Sequence, residues 1–451
     1  MKFLMTALML ISTTAMANLH QAPPTLNINR STKGVFVDFT KVKSEITYNV
    51  KMRTAKVVTT IEFIQAEEGS PVFDLVPTPT SVSVNGKNVK TEEASLDGVS
   101  TVRYVKETLP KGTYNLVILN EIEKNISFES DHVKSAFWMS DLSDRRYLEQ
   151  YLPTNLEYDQ YKNDIEVRIL GTDEEHVLYT NGEVTELSKN YWSVSYPEVY
   201  TASSLFFHLT KKGLIPEKKA DYKSIDGRTI PVTVYTSQST QRFMDKALEV
   251  LAELERDYGP FPHNQVIIYG AGSGGMEYCG ATITSFSALG HELTHSYFAR
   301  GIMPAHGNAG WVDEAIASWR DSGYPSYTEW RLSRTSMAGH SVYRRTTDRA
   351  AYSSGMKFIG HLHEKFKAQE SFKVFLKRFF EERKFKPFKT PEFKKAIEDY
   401  YNTDVTALFN KYVYGTELSG APSMDENHKG HEHKENEYHP RLSEQQLLEL
   451  L

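Results

Sequence analysis

Five consecutive residues carry the first chemical signal: His291-Glu292-Leu293-Thr294-His295. On a helix, imidazoles four positions apart project from one face. Glu292, one step round from His291, can then reach a water held between the two rings. H-E-x-x-H of this kind supplies two neutral imidazole ligands for Zn²⁺ and a carboxylate placed as general base. A catalytic zinc takes three protein ligands and keeps one position open. Glu314, with eighteen residues between it and His295, is the candidate third ligand. It lies in a stretch where Trp311, Val312, Ala315, Ile316 and Trp319 recur at helical spacing. The intervening GIMPAHGNAG is rich in turn formers, so a helix–loop–helix is predicted. A salt-bridged glutamate beside two core histidines is the plain alternative, outweighed by the three elements occurring together.

The rest of the chain must position these groups. Its 451 residues are 40% hydrophobic and 24% charged, a globular balance that allows two or three domains. A formal net charge of −6 gives no reason to expect nucleic acid or an anionic membrane as partner. Residues 1–17 combine Lys2, an apolar run from Phe3 to Ile11, and Ala15-Met16-Ala17. They read as an export signal cut before Asn18, so the mature chain is expected in the periplasm or secreted. The run is too short to span a bilayer, and no stable membrane insertion is expected. Cys279, the single cysteine, allows no internal disulfide and is expected to be a buried, inert thiol.

Residues 18–212 read as an all-β domain. Thr59-Thr60-Ile61-Glu62-Phe63-Ile64 partly alternates, and Asn85-Gly86 and Asn181-Gly182 are hairpin signals. Residues 213–415 mix short strands with helices. One helix should begin near Thr240 and close at Gly259-Pro260, and another should run from Thr390-Pro391 to about Val413. The fold class predicted is therefore α+β: an all-β domain, then a mixed domain of strands and helices that carries the zinc motif. Residues 416–451 form a polar tail with His428, His431, His433 and His439, read as solvated with a short terminal helix. His361 and His363 stand on different helix faces and are read as structural.

H-E-x-x-H, eighteen residues and then W-x-x-E-A resembles the aminopeptidase-N family of gluzincin zinc metallopeptidases, whose second element is typically W-L-N-E-G-F-A. Asp313 stands for the usual Asn and Ala315 for the usual Gly. After the second His the family usually reads Q-W-F-G-N, against Ser296-Tyr297-Phe298-Ala299-Arg300 here. The likeness runs from about residue 37 to 415. It implies an N-terminal β saddle or sandwich domain followed by a thermolysin-like α+β zinc-peptidase domain, in a divergent, compact member without the large helical C-terminal domain that usually roofs the cleft.

The resemblance also assigns roles. Gly274-Gly275-Met276-Glu277-Tyr278 resembles the family's G-x-M-E-N motif, whose backbone binds substrate as an extra strand and whose Glu grips the substrate α-amine. Tyr278 replaces the usual Asn. Tyr352, three residues before Gly355, matches the family's tyrosine that stabilises the oxyanion. Asp141, five residues before Arg146, is the nearest match to a second contact for the amine. These matches imply one Zn²⁺ per chain on His291, His295 and Glu314, with Glu292 as base. The implied activity is removal of N-terminal residues from peptide substrates. An endopeptidase or oligopeptidase with an open cleft is the near alternative. A non-catalytic peptide- or metal-binding protein is the distant one, and the intact Glu292 argues against it.

Overall fold

The structure, a computed structural model, describes residues 19–29 and 31–416. The expected export signal and the histidine-bearing tail lie outside the described residues. The architecture is α+β: strands with one short 3₁₀ turn (Leu148–Gln150) up to Lys211, then a mixed sheet with helices.

Strands between Leu26 and Lys211 form sheets of five, eight and four strands. The eight-stranded sheet is built on the hairpin of Asp38–Asn49 with Thr54–Gln65. Ala55, Val57, Thr59, Ile61 and Phe63 turn inward while Lys56, Val58, Thr60 and Glu62 face water, the period-two pattern of a half-buried strand. Asn85 and Gly86 take φ of +48° and +79° and turn Ser81–Val84 back onto Lys87–Asn88, the hairpin expected there. Asn181-Gly182 departs from its prediction. His176–Thr180 before it pairs with Phe207–Lys211 in the four-stranded sheet, whereas Glu183–Ser188 after it pairs with Tyr191–Tyr196 in the eight-stranded one. The dipeptide is a corner between two sheets. The Asn181 amide is spent bridging the carbonyls of Ser204 and Cys279, both at 2.7 Å.

The second part is a five-stranded sheet, β1 (Glu217–Lys223), β2 (Thr229–Thr236), β3 (Val266–Gly270), β4 (Gly275–Tyr278) and β5 (Ala281–Thr284). Its spatial order is β1-β2-β3-β5-β4, with β2-β3 and β3-β5 parallel, so β4 is an edge. Helix α1 (Thr240–Tyr258) makes the crossover and stops at Gly259, whose φ is +96°. The sheet has two covered faces. Val266 and Ile268 pack on α1 and the later helices, while Ile267, Tyr269 and Met276 pack on the β part. Tyr269 stacks on Trp138 (5.8 Å) and on Tyr235 (4.8 Å), which joins the two parts through aromatic surface.

After the sheet come α2 (Leu289–Phe298), α3 (Trp311–Asp321), α4 (Met356–Phe366), α5 (Phe372–Arg383), α6 (Thr390–Tyr401) and α7 (Thr406–Tyr412). The single helix expected from Thr390 is two. Asn402 adopts φ +46° and ends α6 in a left-handed cap, a conformation asparagine tolerates. No described helix is long and apolar enough to cross a membrane.

Candidate metal centre and active site

Helix α2 presents His291 and His295 on one face, and α3 brings Glu314 against them. Glu314 Oε2 lies 3.3 Å from His291 Nε2 and 3.5 Å from His295 Nε2. Tetrahedral ligands on zinc, with bonds of ~2.0–2.1 Å, stand about 3.3 Å apart, so both contacts of Glu314 match that spacing, and all three ligand atoms lie within 4.8 Å of one another. His295 is wholly buried and its Nε2 has no hydrogen-bond partner. A buried polar atom of this kind is costly unless something fills the point it faces. Two imidazoles and a carboxylate at this spacing fit Zn²⁺.

A second ring of acids holds the ligands. His291 Nδ1 is 2.7 Å from Asp321 Oδ2, and Asp321 Oδ1 is 3.2 Å from Arg320, which binds Glu253 of α1 at 2.5 Å. A carboxylate on Nδ1 fixes the imidazole so that Nε2 offers its lone pair to a metal. Burial alone would strip charge from His291, but hydrogen bonds and charge from Asp321 and Glu314 outweigh it and raise its pKa well above the ordinary value. His295, where burial prevails, is held below it. Asp313 Oδ2 lies 3.7 Å from His295 Nδ1. The sequence reading missed Asp321, although it lies seven residues after Glu314 and so on the same helix face.

Glu292 is buried beside the triad. A Cβ built on Gly275 would lie 2.1 Å from its Oε1, so the carboxylate occupies the space a side chain on β4 would need. That is a physical reason for glycine at 275. Tyr352 stands in a single π turn, Ala351–Gly355, ahead of α4 and donates its hydroxyl to Glu314 Oε1 at 2.8 Å. Gly355 allows this approach, since a Cβ there would meet Ala315 of α3 at 2.8 Å. His291, Glu292, His295, Glu314, Gly275 and Tyr352 are thus drawn into one place.

Glu277 and Asp141 line a shared cavity of about 30 Å³ with Arg300 and Asp313. Asp141 is held by its own carbonyl, which accepts the Thr347 N–H at 2.9 Å. Glu277 shares the Gly275 face of β4, and Arg300, missed as a site residue in the sequence, donates to its Oε1 at 2.9 Å. Met276 and Tyr278 point the other way, into the interdomain core. Tyr278 spans that seam, its hydroxyl 3.3 Å from both Phe137 O and Met139 N. Gly274, at φ +65°, uses a conformation that favours glycine as the chain enters β4. Cys279 is buried, and burial pushes its thiol up to about 12, as an inert core residue requires. His361 gives Nδ1 to the Tyr327 carbonyl, away from the triad.

No family model and no curated protein matches the sequence. Solved structures do match the fold. Legionella pneumophila aminopeptidase A, in complex with aspartic acid, superposes with TM-score 0.63 at 15% identity over 84% of this chain. The chain spans about half of that protein, 49%. An M1 zinc metallopeptidase from Deinococcus radiodurans gives 0.58 at 15% identity, covering 86% of this chain and 96% of its own. Yeast LTA4 hydrolase in complex with bestatin gives 0.62 at 11% identity, over 86% and 69%. The fold is that of the M1 zinc metallopeptidases. At these identities the likeness reaches the backbone, and the chemistry rests on the side chains above.

Proposed function

We propose that the chain is a zinc-dependent peptidase that releases residues from the N-terminal end of peptides. The observation that carries this is the meeting of a zinc-spaced His291/His295/Glu314 triad with a buried Glu292 and the Tyr352 hydroxyl. His291, His295 and Glu314 would hold the ion, which when bound acidifies water and polarises the scissile carbonyl. Glu292 takes the proton of the attacking water and passes it to the leaving amine. Tyr352 donates to the carbonyl oxygen as charge builds on it. β4, as the sheet edge, offers its main chain to an extended peptide. Glu277 and Asp141, gathered in one small cavity with Asp313, support binding of the α-ammonium there. Support for a peptide substrate also comes from the Deinococcus fold relative (TM-score 0.60, 14% identity), crystallised bound to a Tyr-Ser-Ala substrate.

One observation favours a second reading, an oligopeptidase that also cuts away from the terminus: Glu277 is already ion-paired with Arg300. Release of a reporter amine from a panel of aminoacyl substrates tests the first. Turnover that chelation abolishes and added zinc restores supports it, and a zinc-loaded protein inert on the panel and on longer peptides removes it. We further propose export, from residues 1–17, with cleavage before Asn18; a chain that stays in the cytoplasm with residues 1–17 intact would refute that.

A further inference from the structure

Arg300 follows α2 by two residues, and its N–H is tied to the His295 carbonyl at 2.9 Å, which aims the side chain under the ligand helix. The guanidinium is almost wholly buried and makes three contacts. Nη2 donates to Glu277 Oε1 at 2.9 Å, Nε to the Glu277 carbonyl at 3.4 Å, and Nη1 to Ser203 Oγ of the β part at 2.6 Å. It therefore bridges the edge strand, the ligand helix and the opposite domain.

We propose that Arg300 is a specificity-determining residue whose guanidinium fills the place beside Glu277 that a substrate α-ammonium would otherwise take, so that cleavage does not depend on a free amino terminus. The inference keeps the zinc-peptidase part of the reading above, takes its oligopeptidase form, and replaces the α-ammonium anchor at Glu277. A cavity of about 30 Å³ holds one or two waters, or one ammonium group, and Arg300 forms part of its wall. An ammonium entering it meets a like charge already 2.9 Å from the acid meant to receive it. The pair does not part readily, because separating buried ion partners leaves each charge uncompensated. Glu277 consequently offers an incoming cation the field of a neutral pair instead of that of a carboxylate. Peptides with acylated amino termini, and bonds further inside a peptide, become substrates on terms close to those of free amines.

The test compares one reporter peptide with its N-acetylated twin on zinc-loaded protein. For the wild type, the kcat/KM values should agree within about tenfold, and Arg300→Met should raise the free-to-acetylated ratio by about tenfold or more. Arg300→Lys, which keeps the charge, should stay near the wild-type ratio. A wild type that prefers the free amine by about a hundredfold or more overturns the inference and leaves the peptidase reading standing. That outcome needs no variant to fold. Turnover of neither peptide overturns both readings together.

Discussion

Two regions bury acid side chains and answer their charge differently. In the seam between the domains, Asp74, Glu149 and Glu157 of the β part converge on Arg345 at 2.7, 3.2 and 2.8 Å. Beside α2, Glu314 converges with His291 and His295, three groups placed so that they could hold a metal ion. The first cluster is closed by its own guanidinium and fastens two domains. The second, on the proposed reading, would be completed by a zinc ion held by His291, His295 and Glu314. Burial of acids is common to both; the source of the positive charge separates scaffold from site.

Arg345→Met would break this contrast most sharply. Removing the cation strips Glu149 and Glu157 of this guanidinium and leaves Asp74 with Arg145 alone, and a loss of about 3–5 kcal/mol is expected in denaturant unfolding at neutral pH, with zinc bound per folded molecule unaltered. Tyr352→Phe bears on the other region alone: kcat should fall about 10²–10³-fold while folding stability and zinc content hold. Equal loss of zinc would show that Tyr352 supports Glu314 instead of the oxyanion. Asp321→Asn weakens the support of His291, and zinc affinity measured by competition with a chelator should fall about 10–100-fold.

The smallest effect comes from a third buried acid group, one closed by a proton. Asp38 and Asp159 lie together in the β part, where Asp159 accepts the Phe39 N–H at 2.8 Å. Burial, opposed only by the bond to Asp159, pushes Asp38 up to about 6. Its folded form keeps a proton that the unfolded chain gives up near 3.8, so its contribution declines as pH rises from about 4 to 6. Asp38→Asn should therefore stabilise at pH ~7 by about 1–2 kcal/mol, discounted for partial solvent screening, with the gain gone below pH ~4. A gain that grows on acidification would contradict the assignment.

Much of the site is legible in the sequence because it is local. His291, Glu292 and His295 share one helix turn, and Glu314 sits in a helix whose apolar period shows its face. Gly275 is legible as a glycine, while its reason, the Glu292 carboxylate against it, needs the fold. What escapes is set by chain reversals. Asn181-Gly182 carries a hairpin signal but turns a corner because each flanking strand finds a better partner in a different sheet. Arg300 stands where the family it resembles usually has Asn, yet nothing in its neighbours tells that it reaches back to Glu277 on the edge strand β4, 23 residues earlier. The helix expected from Thr390 breaks at Asn402 because a left-handed asparagine costs little there.

The proposed chemistry needs a zinc ion held by the triad and a base that acts on water beside it. The most direct measurement is kcat on a peptide for wild type and Glu292→Gln, with zinc content determined on the same samples. One zinc per chain in both, with turnover lower by about 10²–10⁴-fold in the variant, is the predicted result. Equal turnover with equal zinc would contradict it, because the reaction would then need no base at 292.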